Sequence, residues 1–220
     1  MKIQWLGHSC FKLSESTGTT VITDPFSGSI VGYDMPHEQA DAVTISHGHD
    51  DHNFIKGVAG NPTVIDTPGN HDFEGIAVNG IQSFHDDEEG AKRGENIIYR
   101  FSLDGVIVCH LGDIGERCSP ELVEELMPVN ILLLPIGGTY TIDAEEAKEY
   151  VDKLMPDIVI PMHYKTKQCE MDIDKLESFL KLFDDENIEE CDDTVLEFDR
   201  ADFDFGTDTT KIIVPKRHKG

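Results

Sequence analysis

Basic side chains are scarce in this sequence. Its 220 residues contain 18 Lys and Arg against 43 Asp and Glu, which gives a formal net charge of -25 at pH 7. Because binding to a phosphate backbone depends on Lys and Arg, this charge argues against a long nucleic acid as a partner. An anionic membrane surface is disfavoured for the same reason. Small nucleotides stay open as ligands.

Paired cysteines and long apolar runs are also lacking. The five cysteines form an odd count without short paired spacing, which predicts reduced thiols and a cytoplasmic protein. No apolar run is long enough to span a bilayer, and the first six residues enter a strand-like pattern, unlike a signal peptide. No low-complexity linker divides the chain. We therefore expect one domain over residues 1–220, a small-molecule substrate, and possible assembly into a homo-oligomer.

Apolar patterning predicts a β-rich first half and a second half in which helices alternate with strands. Three strands are expected within residues 2–24, and two hairpins are expected at 76–84 (turn at Asn79-Gly80) and 96–111 (turn at Asp104-Gly105). Helices are predicted over 120–127, 143–154 and 172–183, and a short helix after residue 53. The last five residues are expected to fray. Two sheets with helices outside them indicate a layered α/β sandwich.

Residues 42–52 hold the densest group of potential metal ligands. An apolar strand over 42–45 leads into His47-x-His49-x-Asp51-His52, which places four candidate ligands within six residues. A tight turn through Gly48 could direct His47 and His49 to one metal, and Asp51 and His52 to a second. Imidazole and carboxylate donors suit Zn²⁺, and also Mn²⁺ or Fe.

Three further candidates follow apolar strands at the points where those strands end: His85, Asp113 and His163. Strand ends of one sheet can converge on one crevice, which a preformed metal site requires. His71 is a rival to His85 by residue type alone. For His8, Asp24 and His110, two interpretations stay open: positioning of a ligand imidazole, or an ordinary structural role.

The combined pattern resembles the metallo-β-lactamase superfamily over nearly the whole chain. Five motifs are similar to the L-ascorbate-6-phosphate-lactonase-like branch of its metal-dependent hydrolases. In chain order they are Leu6-Gly7-His8-Ser9-Cys10-Phe11, Asp24-Pro25, His110-Leu111-Gly112-Asp113, Pro135-Ile136-Gly137-Gly138 and Pro161-Met162-His163-Tyr164. The resemblance implies a four-layer αββα sandwich. The motifs do not define the substrate, because this fold hosts many chemistries.

The resemblance also implies a ligand set for two divalent metal ions, Zn first, with Mn or Fe as alternatives. One metal would take His47, His49 and His85. The other would take Asp51, His52 and His163, and Asp113 would bridge the two. A bridging hydroxide would attack a carbonyl or phosphoryl centre, with Asp51 steering its proton and Asp113 holding both metals.

The implied function is hydrolysis of a small ester, lactone or phosphoester. One alternative is a phosphodiesterase that acts on small nucleotides or phospholipid-like diesters. The other is a non-catalytic protein that binds a metal or senses a small molecule on the same fold. Tyr164, Lys165 and Lys167 directly follow His163 and are candidate contacts for an anionic substrate group, although ordinary surface lysines would give the same pattern.

Overall fold

Two β-sheets form the centre of the molecule in this computed structural model, which describes residues 1–203 and 209–220. The strands are β1 (Lys2–Gly7), β2 (Cys10–Ser14), β3 (Thr20–Thr23), β4 (Ala42–Thr44), β5 (Thr63–Ile65), β6 (Gly69–Phe73), β7 (Ile76–Phe84), β8 (Glu95–Leu103), β9 (Val106–His110), β10 (Ile131–Pro135), β11 (Ile158–Met162), β12 (Ile188–Glu190), β13 (Leu196–Glu197) and β14 (Lys211–Val214). The helices are α1 (Gly28–Val31), α2 (Pro120–Leu126), α3 (Ala144–Leu154) and α4 (Glu177–Leu180), with 3-10 turns at Ile55–Gly57, Asp185–Asn187 and Arg200–Asp202.

The strands divide into a six-stranded sheet, in the order β13-β1-β2-β3-β4-β5, and an eight-stranded sheet, in the order β12-β14-β11-β10-β9-β8-β7-β6. Alternate residues of the first sheet enter two separate apolar cores. Trp5 and Phe11 pack into the core shared with the second sheet, whereas Leu6 and Cys10 pack into a smaller core with α1. Helices α2, α3 and α4 add apolar residues to the larger core. The fold is therefore the expected mixed α/β sandwich of two sheets and few helices.

Most predicted strands are present, and the turn at Asp104-Gly105 is confirmed. Both residues have positive φ (50° and 78°), and β8 pairs antiparallel with β9 through them. Strands β9, β10 and β11 run parallel, so their carboxyl ends lie at one edge. Helix α3 begins with an N-cap at Asp143, whose carboxylate accepts from the Glu146 backbone N–H at 2.9 Å.

The predicted hairpin at 76–84 is wrong, because these residues form the single strand β7. Asn79 and Gly80 pair in register with neighbours on both sides, in β6 and in β8. The Asn79 amide donates to Asn70 Oδ1 at 2.7 Å. A Cβ at Gly80 would lie 2.9 Å from the Thr67 carbonyl oxygen, so glycine is needed for this close approach and not for a turn.

Three further predictions differ from the structure. The helix over 172–183 is reduced to α4, because Asp174 joins two loops: its N–H donates to Gly137 O, and its carbonyl accepts from Lys165 N–H (both 2.7 Å). The helix after residue 53 is only the 3-10 turn Ile55–Gly57, which is too short for a helix dipole. The tail is docked and not frayed, since His218 N–H donates to Trp5 O at 2.8 Å.

The five cysteines carry free thiols in the structure. Within residues 1–203 and 209–220, no helix combines the length and the apolar character needed to cross a bilayer.

Candidate metal centre

The candidate ligands converge at one edge of the two sheets. His47, His49, Asp51 and His52 lie in the loop after β4, His85 follows β7, and Asp113 lies in the turn after β9. His163 follows β11, and His8 lies in the turn between β1 and β2. Each candidate ligand thus lies just after the end of a strand, so that the two sheets support the cluster rigidly.

The side chains form three overlapping groups that could hold a metal ion. In each group the donor atoms lie within 4.8 Å of one another. The groups are His47, His49 and His85; His8, Asp51, His52 and His163; and Asp24, His47 and His52. The first two correspond to the two ligand sets implied by the sequence, with His8 added to the second.

Asp113 lies between the first two groups. Its Oδ2 atom is 3.1 Å from His52 Nε2 and 3.3 Å from His163 Nε2, both of the second group. The same oxygen is 3.4 Å from His85 Nε2 and 3.9 Å from His47 Nε2, both of the first. One carboxylate therefore faces imidazoles of both groups, as a bridging ligand must.

Several buried ring nitrogens at this centre have no hydrogen-bond partner. They are Nε2 of His8, His47, His52 and His163, together with Nδ1 of His85 and His163. Asp113 Oδ1 is also buried and has no hydrogen-bond partner. An unsatisfied buried polar atom costs about 1–3 kcal/mol, so a cluster of them favours a bound ligand at this centre. Imidazole and carboxylate donors fit divalent metal ions.

Burial keeps two of the imidazoles neutral. It lowers the pKa of His47 to about 3, assisted by the positive charge of His52. Burial and the neighbouring His163 lower the pKa of His8 to about 4. Neutral imidazole is the form that binds metals, so both rings are ready to coordinate at neutral pH.

Asp24 holds two ligand imidazoles through one network. Its Oδ2 accepts from His52 Nδ1 at 3.0 Å and from the Ser46 hydroxyl at 2.5 Å, and its Oδ1 accepts from Ser46 N–H at 2.8 Å. The Ser46 hydroxyl also lies 2.9 Å from His47 Nδ1. The Nε2 atoms of both rings thereby face the metal centre. Sequence reasoning missed Ser46, although it directly precedes His47.

The backbone around the centre is strained or closely packed. His8, Asp24 and His163 have left-handed φ angles of 51°, 40° and 51°. Such backbone costs on the order of 1–3 kcal/mol per residue and persists where the surrounding structure enforces it. At Gly112 (φ 58°) a Cβ would lie 2.3 Å from Oδ1 of Asn96, and this amide oxygen accepts from Asp113 N–H at 3.0 Å. Asn96 therefore fixes the turn that carries the Asp113 carboxylate.

His110 and His71 take structural positions. The buried His110 ring donates from Nε2 to Ser9 O at 2.7 Å and accepts at Nδ1 from Gly112 N–H at 3.1 Å, so it joins the His8 turn to the Asp113 turn without contacting a ligand atom. His71 lies in the edge strand β6, with Nε2 2.9 Å from Thr67 O. It belongs to none of the three groups.

A cavity of about 520 Å³ opens onto the metal centre. Its lining residues are Ile30, His49, Asp51, His85, Lys92, Arg93, Asp113, Tyr140 and Met171. Tyr164, Lys165 and Lys167 are not among these lining residues, and their role as substrate contacts stays a prediction. The Tyr164 ring points away from His163 and stacks on Trp5 (ring centroids 5.4 Å apart). The ammonium group of Lys165 donates to Met171 O, and Lys167 is exposed elsewhere.

Comparison with known proteins gives consistent matches. Residues 2–163 match a family model described as "Beta-lactamase superfamily domain". A UPF0173 metal-dependent hydrolase from Methanoregula boonei is 34% identical over 192 residues (76% of this chain and 83% of the relative), and one from Thermococcus onnurineus is 30% identical over 195 residues (76% and 85%). A crystal structure of a metallo-beta-lactamase superfamily protein from Thermotoga maritima covers 99% of both chains, with 40% identity and a TM-score of 0.79.

Proposed function

This chain belongs to the beta-lactamase superfamily and is a metal-dependent hydrolase, and we propose that it uses two divalent metal ions to cleave a small ester, lactone or phosphoester. The unpartnered ring nitrogens carry the proposal. Nε2 of His8, His47, His52 and His163 is buried without a hydrogen-bond partner in one cluster, where only a bound ligand can compensate for the lost hydration.

The donor set is too large for a single tetrahedral ion, which takes about four ligands. We assign His47, His49 and His85 to one ion, and Asp51, His52 and His163 to the other, with Asp113 shared. His8 supports the second ion, since its Nε2 lies 3.4 Å from Asp51 Oδ2. Nitrogen and oxygen donors alone favour zinc, and manganese or iron would fit the same set.

Such ions supply a hydroxide at neutral pH and polarise the oxygen of the scissile group. The chain's own contribution is to hold and orient. Asp24 and Ser46 set the direction of the His47 and His52 rings through the contacts described above. Asp51 lines the cavity and is 13% exposed at its side chain, so its carboxylate can accept a hydrogen bond from the attacking water, orient it and direct its proton. Water adds to the acyl or phosphoryl centre, the bond to the leaving oxygen breaks, and the proton of the water passes to that oxygen.

A reconstitution experiment tests the proposal. Protein stripped with a chelator is reloaded separately with Zn²⁺, Mn²⁺ or Fe²⁺ and assayed against esters, lactones and phosphodiesters, with metal per chain measured by elemental analysis. We expect saturation at two metals per chain and turnover in at least one class. Hydrolysis of phosphodiesters alone would move the reaction to the phosphodiesterase alternative. One metal at saturation, or no turnover with any metal, would refute the proposal.

Two variants make the test specific. Asp113→Ala removes the shared carboxylate and should lower occupancy at both positions together with activity. His71→Ala is the matched control, because His71 is a histidine at the outer edge strand and its ring contacts only a backbone carbonyl in the same segment. It should retain both metals and full activity.

A further inference from the structure

The rim of the cavity at the metal centre contains two basic side chains. Among the described residues that line it are the cations Lys92 and Arg93, and the carboxylates of the assigned ligands Asp51 and Asp113. Ile30, Tyr140 and Met171 complete the rim with apolar surface. A volume of about 520 Å³ is in the range of small-molecule sites. The rim therefore suits a small ligand with an apolar part and an anionic group.

Arg93 is the rim cation that is available to a ligand. Its Nη2 donates to Thr139 O at 2.7 Å, and its guanidinium carbon lies 5.9 Å from the centroid of the Tyr140 ring. Throughout residues 1–203 and 209–220, no carboxylate lies within 4.0 Å of this guanidinium. The bond to Thr139 O occupies one of the five N–H donors of the Arg93 guanidinium, so most of these donors stay free. The ammonium group of Lys92, in contrast, is paired with Asp87 (3.1 Å) and Glu88 (2.9 Å).

The position of Arg93 is fixed by a buried carboxylate. Asp86 accepts four backbone N–H groups, from Glu88 and Gly90 (both 2.9 Å), Lys92 (2.8 Å) and Arg93 (2.7 Å). Asp86 directly follows the ligand His85. The loop that presents Arg93 is therefore attached to the metal centre itself. Its backbone is fixed by Asp86, and the bond from the guanidinium to Thr139 O directs this group before a ligand binds, which reduces the entropic cost of binding.

A local cation is needed here because the whole chain repels anions. With a net charge of -25, the protein offers an anionic substrate an unfavourable field at long range. An arginine fixed at the cavity offers carboxylate or phosphate a two-pronged, charge-assisted contact at short range.

We propose that Arg93 determines substrate class: it binds a carboxylate or phosphate group carried by the ester or lactone that the metal centre cleaves. This inference rests on the proposed function. The anion lies against the guanidinium, and the reacting carbonyl lies toward His85 and Asp113 on the floor of the cavity. Ile30 and Met171 contact the apolar carbons between them.

The test compares two p-nitrophenyl esters with six-carbon acyl groups: the neutral hexanoate and the carboxylate-terminated adipate monoester, whose carboxylate is too far along the chain to attack its own ester readily. For Arg93→Met, KM for the adipate ester should rise about tenfold or more, with kcat less affected and with the hexanoate values within about twofold of wild type. Arg93→Lys should lie between, because lysine keeps the charge and loses the two-pronged geometry. Arg100→Met is the matched control, because Arg100 also donates to a backbone carbonyl (Pro128 O, 3.1 Å) and is not among the lining residues of this cavity; it should change neither ester by more than about twofold.

A binding measurement keeps the inference testable apart from turnover. Calorimetry with succinate and with inorganic phosphate on the metal-loaded protein should show binding that Arg93→Met weakens about tenfold, and the stronger of the two anions identifies the group recognised. Equal losses for both esters, or unchanged binding of both anions, would overturn the role of Arg93. Absence of ester hydrolysis by the wild type would count against the proposed function, while the calorimetric result would still decide the role of Arg93.

Discussion

Replacing Asp24 with Asn tests whether one carboxylate sets the tautomers of two ligand imidazoles. Asp24 is fully buried, and although burial alone would raise its pKa, the contact with His52 lowers it, so the group is ionised at neutral pH. Asn has the same shape and tolerates the left-handed φ of 40° at this position. Backbone strain is therefore unchanged, and the variant isolates the loss of the charge and of one acceptor.

The expected loss of metal affinity follows from counting hydrogen-bond donors around residue 24. If the amide oxygen keeps the contact with Ser46 N–H, the amide NH₂ occupies the place of Oδ2, which accepted from Ser46 Oγ and from His52 Nδ1. Two donors then face each other, and His52 must move its proton to Nε2, the atom directed at the metal centre. Loss of such a supporting contact costs about 10- to 100-fold in metal affinity, or roughly 1.4–2.8 kcal/mol.

Competition with a chromophoric chelator would measure this loss, with the midpoint of urea unfolding as a check on the fold. The matched control is Asp41→Asn at the opposite end of β3, where the carboxylate also accepts from a backbone N–H and a hydroxyl, both of Thr20 at 2.8 Å. The control should keep wild-type metal affinity. Wild-type affinity in Asp24→Asn would refute the tautomer argument, and equal losses in both variants would attribute the effect to general destabilisation.

Three other predictions concern packing and reactivity. Tyr99→Phe should lower the free energy of unfolding by about 1–3 kcal/mol in urea titrations, because the buried hydroxyl lies 2.9 Å from Ile65 O and 3.0 Å from Ile45 O; an unchanged midpoint would contradict this. Gly112→Ala should fail to accumulate as folded protein or should lose metal, since its Cβ would lie 2.3 Å from an amide oxygen; a wild-type thermal midpoint would be evidence against it. Iodoacetamide at neutral pH should modify Cys191 first by peptide mass spectrometry, because the other four thiols are buried; rapid labelling of any of those four would show that the core opens.

The positions of the metal ligands could be predicted from the sequence because they depend on local signals. An apolar run defines each strand, and the polar residue that ends it must lie at the edge of the sheet. His85, Asp113 and His163 were placed by this rule, and in the structure the Nε2 atoms of His85 and His163 lie 3.4 Å and 3.3 Å from Asp113 Oδ2. The four candidate ligands in the loop after β4 could be predicted from their spacing alone.

Other predictions were wrong because distant contacts override local preference. Asn79-Gly80 is a strong turn signal, yet both residues pair with β6 on one side and β8 on the other. The backbone hydrogen bonds to two neighbouring strands stabilise the chain more than a tight turn would. The periodic apolar pattern over 172–183 was interpreted as a helix. Its first part instead bridges two loops through Asp174, which no local pattern can indicate.

The substrate contacts expected from the sequence stay predictions, because local signals do not define them. Proximity in sequence to His163 does not establish proximity to the cavity, since the left-handed φ of His163 (51°) ends the regular alternation of the strand. His163 faces Asp113, and Tyr164 faces Trp5. The rim cation, Arg93, is 70 positions away from His163 in the numbering, and only the fold of the loop around Asp86 places it at the cavity.

This separation of floor and rim explains why the reaction can be inferred more readily than the substrate. The candidate ligands on the floor of the cavity lie just after the ends of buried strands. Several have left-handed φ angles that the surrounding structure enforces. The rim residues lie in loops and remain exposed, with Ile30 at 43% and Tyr140 at 39%. Substitution of a rim residue changes the shape and charge of the cavity without moving a ligand, whereas substitution on the floor removes metal binding. One metal centre can therefore serve many substrates, and the substrate class must be sought in the loops.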